Sequence, residues 1–147
     1  MPYWRCYCHI VWATDHREPL ISSEMETPIY RIIAHKGNDQ GGKVYAVGGM
    51  ADHIHVIAAS PPSIAPAMFI KGLKGASSRF AHTEFQRPFA WQVGYGIFSI
   101  SQQNLSKAIE YVLNQKQHHG AGTVISAMER FTSEDDGPKI MPQIDWL

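Results

Sequence analysis

The sequence lacks any uninterrupted apolar run approaching the roughly 18 residues that a membrane-spanning helix needs, so no segment reads as transmembrane. Cysteine is scarce. Only Cys6 and Cys8 are present, two apart on one predicted strand, where their side chains point the same way without the approach a normal disulfide requires. Reduced thiols in a reducing compartment are therefore expected. The opening MPYWRCYCHIVW has arginine and histidine where a secretory leader would be purely apolar, so the expectation is a cytoplasmic protein without membrane association. An excess of charge of either sign is also missing. Thirteen Lys and Arg balance thirteen Asp and Glu, which argues against strong nonspecific attraction to nucleic acid and leaves any DNA contact to local patches. Internal repeats and low-complexity segments are absent. Histidine, by contrast, is abundant, with eight in 147 residues.

The length and a hydrophobic content of 44% suit one compact domain over residues 1–147, with a core from about 3 to 119 and a tail from 120 to 147. Alternation with aromatic and β-branched residues predicts a first strand over about Tyr3–Ala13. Thr27 followed by Pro28 looks like a helix cap with proline at the first helical position. Ile29, Ile32 and Ile33 share a face, and the helix ends near Lys36 to Asn38. After the glycines at 37, 41 and 42, KVYAVGGM and HIHVIAAS form a hairpin around Ala51-Asp52. A second helix carries Met68, Phe69, Leu73 and Phe80, and FAWQVGYGIFSIS supplies a fourth strand. The third helix is capped by Ser101 or Gln102, carries Leu105, Ile109, Val112 and Leu113 as an apolar stripe, and stops at Gly120. The tail offers a short helix around ISAMERF, then acidic SEDDGPK and a final apolar IDWL. This βαββαβ order followed by a helix predicts an α+β, ferredoxin-like sandwich: an antiparallel sheet with helices on one face and an additional C-terminal helix.

His53 and His55 lie two apart on the third strand, so their rings share a face while Ile54 points the other way. The pair is open to two readings: packed histidines each bonded to a carbonyl, or ligands of a divalent metal. A useful metal site needs a third protein ligand and open positions. Adjacent Asp52 should face the other side of a regular strand. In the third helix, Tyr111 and Gln115 stand one turn apart on one face, and an oxygen ligand from Gln115 would favour Mg²⁺ or Mn²⁺. Tyr111 would then be near the metal; otherwise it is an amphipathic-helix tyrosine with its hydroxyl in water. His118 and His119 suit the helix C-terminus electrostatically.

Together, DHIHV, YVLNQKQHH, YCHIVWATDHREPL and WQVGYGIFSIS resemble the small single-tyrosine transposases of the insertion-sequence 200/605 group, within the HUH endonuclease superfamily, over about Tyr3–His119. The resemblance implies that His53, His55 and Gln115 hold a divalent metal, Mg²⁺ or Mn²⁺. It implies that Tyr111 attacks a phosphate of single-stranded DNA at hairpin-bearing element ends, giving a 5′-phosphotyrosine link and a 3′-hydroxyl that rejoining reverses. It further implies a homodimer in which the tyrosine helix reaches the partner's histidines, with GYG at 94–96 as a candidate hinge. Lys71, Lys74, Ser78 and Arg79 of the second helix, with Arg5, are candidates for phosphate contact, against a plain solvated helix face. The acidic tail stretch would repel phosphate and is expected away from the site. Two other functions fit the fold: a metal-dependent phosphoesterase that activates water, and a noncatalytic nucleic-acid-binding relative.

Overall fold

The computed structural model describes residues 3–122 and Glu129. The elements are β1 (Tyr7–Ala13), α1 (Ser23–Asp39), β2 (Lys43–Met50), β3 (His53–Ala59), α2 (Pro66–Phe85), β4 (Gly96–Ser99), α3 (Leu105–Leu113) and α4 (Gln115–Ala121), with 3₁₀ turns at Asp15–Arg17 and Gln102–Asn104. The strands form one sheet in the order β2-β3-β1-β4, every pairing antiparallel. This is the ferredoxin-like arrangement that the element order predicts.

Strand alternation divides the core in two. Cys8, Ile10 and Trp12 of β1 and Ile54, Val56 and Ala58 of β3 face a layer made of Met25, Ile29 and Ile33 from α1 and Phe69, Ile70 and Leu73 from α2. The alternate residues face the opposite side. There Ile57 and Ala46 meet Ala108, Tyr111 and Val112 of α3. β1 and β3 are consequently buried along all seven residues each, which explains why neither strand spares positions for charged side chains. His9, His53 and His55 belong to the α3 side.

Several elements depart from the sequence expectation for identifiable reasons. β1 begins at Tyr7, because β3 ends at Ala59, Tyr7's partner. Residues 3–6 alternate suitably, yet among the described residues no strand lies beside them. α1 begins four residues before Thr27, with Ser22 at its N-cap, so Pro28 lies inside the helix. Glu24 and Glu26 in the first turn favour that earlier start through the helix dipole. The fourth strand shrinks to Gly96–Ser99, since Gly94 turns the chain at φ 113° and Trp91 makes only an isolated bridge to Thr14. The third helix breaks at Asn114, whose φ of −106° and ψ of 25° end α3 just before α4. Leu113, expected on the apolar stripe, is 62% exposed. The expected short helix around ISAMERF, Glu129 apart, and the tail segments SEDDGPK and IDWL lie outside the described residues.

Two packing details position the site and can be tested. α3 rests directly on β2, and a Cβ added at Gly48 would collide with the backbone carbonyl of Val112. Gly48→Ala should therefore cost about 1–3 kcal/mol in thermal or denaturant unfolding. Gly75→Ala, inside α2 where the new methyl meets nothing within 4 Å beyond its own stretch of helix, should gain up to about 1 kcal/mol. Lys74 donates from its ammonium to the carbonyls of Gln92 (2.7 Å) and Gly94 (2.9 Å), tying α2 to the segment before β4. Lys74→Met should cost about 1–2 kcal/mol and speed amide exchange around residues 92–96. Exposed Lys71→Met should stay within about 0.5 kcal/mol of the parent.

Candidate metal centre

β3 brings the two histidines together as its alternation requires. Their ring centroids are 5.1 Å apart, and both side chains are buried. The hairpin turn supplies Asp52, which lies ahead of the regular strand and so escapes the alternation rule. Its Oδ1 is 2.7 Å from His53 Nδ1, instead of facing the far side of the sheet. Arg17, held with His16 in left-handed backbone (φ 52° and 53°), donates from Nε to Asp52 Oδ2 at 3.2 Å. A carboxylate accepting the Nδ1 proton fixes the His53 tautomer and leaves its Nε2 lone pair for a ligand.

From the other side, α3 and α4 present Tyr111 and Gln115. Despite the break at Asn114, burial continues through Ala108, Tyr111, Val112 and Gln115, the i, i+3, i+4, i+7 pattern of one helical face. Gln115 Oε1 lies 3.3 Å from His53 Nε2. Tyr111 is 4% exposed, so its ring is packed rather than solvated, 6.1 Å from the His55 ring and 6.4 Å from that of His9. Its hydroxyl donates to Glu129 Oε2 at 3.0 Å. Tyr111 thus meets the histidines of its own chain.

The residues that sequence reasoning missed come from three places. Glu129, in the tail to which the sequence assigned no site residue, puts its carboxylate 3.4 Å from His53 Nε2 and 2.9 Å from His55 Nε2. The acidic stretch 133–139, which was expected away from the site, lies outside the described residues. His119 Nε2 stands 3.0 Å from Glu129 and 3.1 Å from Gln115 Oε1, while His118 stacks on Tyr111 with centroids 4.6 Å apart. His9 Nε2 is 2.7 Å from His55 Nδ1. Signals existed for the histidines, since His9 falls on the strand face of Tyr7 and Val11, while His118 and His119 fall seven and four residues after Tyr111 and Gln115; nothing in the sequence pattern marks Glu129.

The local fields follow from burial and these partners. Burial alone would lower His53, but the Glu129 and Asp52 carboxylates beside it hold it above the ordinary imidazole value. His55 stays below that value because burial outweighs Glu129. Burial and neighbouring His55 push His9 down to about 3. Burial would raise Asp52 and Glu129. Contact with His53 and the charge of Arg17 hold Asp52 below its ordinary value, and contacts with His53 and His55 hold Glu129 well below the carboxylate range.

These donors fit a divalent cation. Ligand atoms of His53, His55 and Glu129 all lie within 4.8 Å of one another. Buried His55 Nε2 meets the Glu129 carboxylate at 2.9 Å. Atoms able to donate a lone pair thus face one another, an arrangement that a shared cation stabilises. The other expected contact residues lie elsewhere. Lys71, Lys74 and Ser78 line a cleft with Trp91 and Tyr95 on the α2 side, opposite the histidine face. Arg79 is exposed on that helix, and Arg5 is exposed near the end of the sheet.

A family model described as "Transposase IS200 like" matches residues 2–115. The chain is 25% identical over 114 residues to the ISDra2 transposase TnpA of Deinococcus radiodurans, covering 73% of this chain and 81% of that protein. It is 26% identical over 131 residues to the transposase of insertion sequence element IS200 from Salmonella typhimurium, covering 84% and 85%. A crystal structure of a candidate transposase from Deinococcus radiodurans superposes with a TM-score of 0.63 at 24% identity, covering 78% of this chain and 93% of that one. The structure of a REP-associated tyrosine transposase bound to a REP hairpin gives 0.59 at 13% identity, covering 84% and 76%. At those identities the two structures bear on the fold, and among the described residues no helix is long and apolar enough to cross a membrane. The match over most of its length, carried through both histidines and the tyrosine helix, makes this chain a member of the IS200-like transposase family.

Proposed function

We propose that this chain cleaves and rejoins single-stranded DNA at hairpin-bearing element ends, with Tyr111 as nucleophile. The observation that carries the proposal is the position of the buried Tyr111 beside a histidine pair able to share one cation with Glu129. His53, His55 and Gln115 would hold Mg²⁺ or Mn²⁺, with Glu129 as a further oxygen donor. Such an ion, when bound, polarises phosphate oxygens and offsets the charge that builds on phosphorus.

Tyr111 Oη forms the new bond to phosphorus while the bond from phosphorus to the 3′ oxygen breaks. One proton leaves the phenol and one joins the leaving 3′ oxygen, so the products are a 5′-phosphotyrosine and a 3′-hydroxyl. A second 3′-hydroxyl attacking the phosphotyrosine reverses the chemistry and conserves the bond energy for joining. Packing restricts the Tyr111 ring between His55 and His118, which limits the reorientation needed before attack. The homodimer implied by the resemblance is part of this proposal, and the arrangement within one chain would give each protomer its own set of these side chains.

The test is a denaturing gel with labelled single-stranded hairpin oligonucleotides from the ends of the element, in Mg²⁺, Mn²⁺ or EDTA. The parent should give a metal-dependent covalent protein–DNA band, absent with EDTA and absent in Tyr111→Phe. His53→Ala should reduce cleavage by at least about 100-fold at subsaturating metal. Strand cleavage that survives Tyr111→Phe would assign water as the nucleophile and overturn the proposal.

A further inference from the structure

His9 is a buried polar residue on β1 that the proposed chemistry does not use. In the β1–β3 register, Val11 stands opposite His55 and His9 opposite Ile57, which makes His9 a diagonal neighbour of His55 on the same face. The diagonal is short enough for the rings to meet, with centroids 4.9 Å apart and His9 Nε2 2.7 Å from His55 Nδ1. At that separation one of the two nitrogens carries a proton and the other accepts it. His9 Nδ1 has no partner among the described residues, so the contact with His55 is the polar tie that holds this buried ring.

We propose that His9 is a positioning residue that accepts the Nδ1 proton of His55 and thereby turns the Nε2 lone pair of His55 toward the cation site. The inference rests on the reading of His53, His55, Gln115 and Glu129 as metal donors. It gives the second histidine what Asp52 gives the first: a fixed tautomer and a fixed ring plane. The two partners differ in charge. A carboxylate on both histidines would add negative charge beside the phosphate, whereas His9 orients its partner as a neutral group. The partner's placement also differs: Asp52 sits half-exposed in a turn, while His9 is locked in the centre of the sheet.

The experiment is Mn²⁺ titration, followed by electron paramagnetic resonance of the free ion, on the full chain and on two variants. His9→Leu removes the acceptor and should weaken Mn²⁺ binding about 10–100-fold. His9→Gln offers an oxygen near the Nε2 position and should stay within about 3-fold of the parent. In parallel, ¹⁵N-resolved spectra of the Mg²⁺-loaded parent should show His55 protonated at Nδ1 and unprotonated at Nε2. This second measurement needs no variant and stands if His9→Leu fails to fold. Unchanged Mn²⁺ affinity in His9→Leu, an equal loss in both variants, or a His55 proton on Nε2 would overturn the assignment of His9. A parent that binds no Mn²⁺ would instead overturn the metal site itself, and the role of His9 with it.

Discussion

The site depends on one constraint: several buried lone-pair donors face a common point. Nε2 of His53 and His55, Oε1 of Gln115 and the Glu129 carboxylate come from β3, α4 and the segment beyond it, and each is drawn there by packing. Such an arrangement is costly unless a proton or cation satisfies the facing donors. Its neighbours are arranged to hold it: Asp52 backs His53, Arg17 backs Asp52, and His119 meets both Gln115 and Glu129. The ferredoxin-like sheet supplies the rigidity. β1 and β3 are buried on both faces, so the histidines cannot move without disturbing the α1–α2 layer behind them.

Much of this was legible in the sequence, because strand and helix periods are local rules. The alternation of DHIHV put His53 and His55 on one face, and the spacing of Tyr111 and Gln115 put them on one helical face. The Asn114 break did not spoil the second prediction, since the buried positions continue at i+3 and i+4 across it. What was not legible depends on register or on return of the chain. His9 meets His55 only because of the β1–β3 register, and Asp52 escapes alternation because the turn precedes the strand. Strand ends were set by partners rather than by residues. YWRC has strand composition, but among the described residues its backbone tie to the sheet is a single bond from Ser60 N–H to the Cys6 carbonyl rather than a paired strand, and FAWQVGY is stopped by Gly94. The tail offered only a short helix around ISAMERF, and a local period cannot say that the chain returns to the histidines, so the approach of Glu129 had no sequence signature.

The same sheet explains why the phosphate-contact candidates are divided from the metal centre. α2 packs on the face opposite the histidines, so its basic residues lie across the sheet from Tyr111. Lys74 is committed to two backbone carbonyls, and burial lowers its pKa, so its charge is spent on the segment leading to β4. A DNA strand touching both Lys71 and Tyr111 would have to pass around an edge of the sheet. A folded DNA end with a duplex stem and a single-stranded flank has a shape that permits this, which accords with the proposed substrate.

Glu129 bears on the cation requirement through simple electrostatics. Its carboxylate is held ionised and accepts the Tyr111 hydroxyl at 3.0 Å, and under the proposed function a scissile phosphate would approach that same hydroxyl. Two like charges about 4 Å apart at an effective dielectric constant near 20 repel by about 4 kcal/mol, enough to lower phosphate occupancy roughly a thousandfold. Under the proposed function, a divalent charge at the histidine–Gln115–Glu129 donors would reverse that sign and relieve the facing lone pairs at the same time. Under the proposed function, one event thus settles two conditions: the donors become satisfied, and the ground beside Tyr111 becomes attractive to an anion. Neutral orientation of His55 by His9 serves the same end, because a carboxylate in its place would restore part of the repulsion.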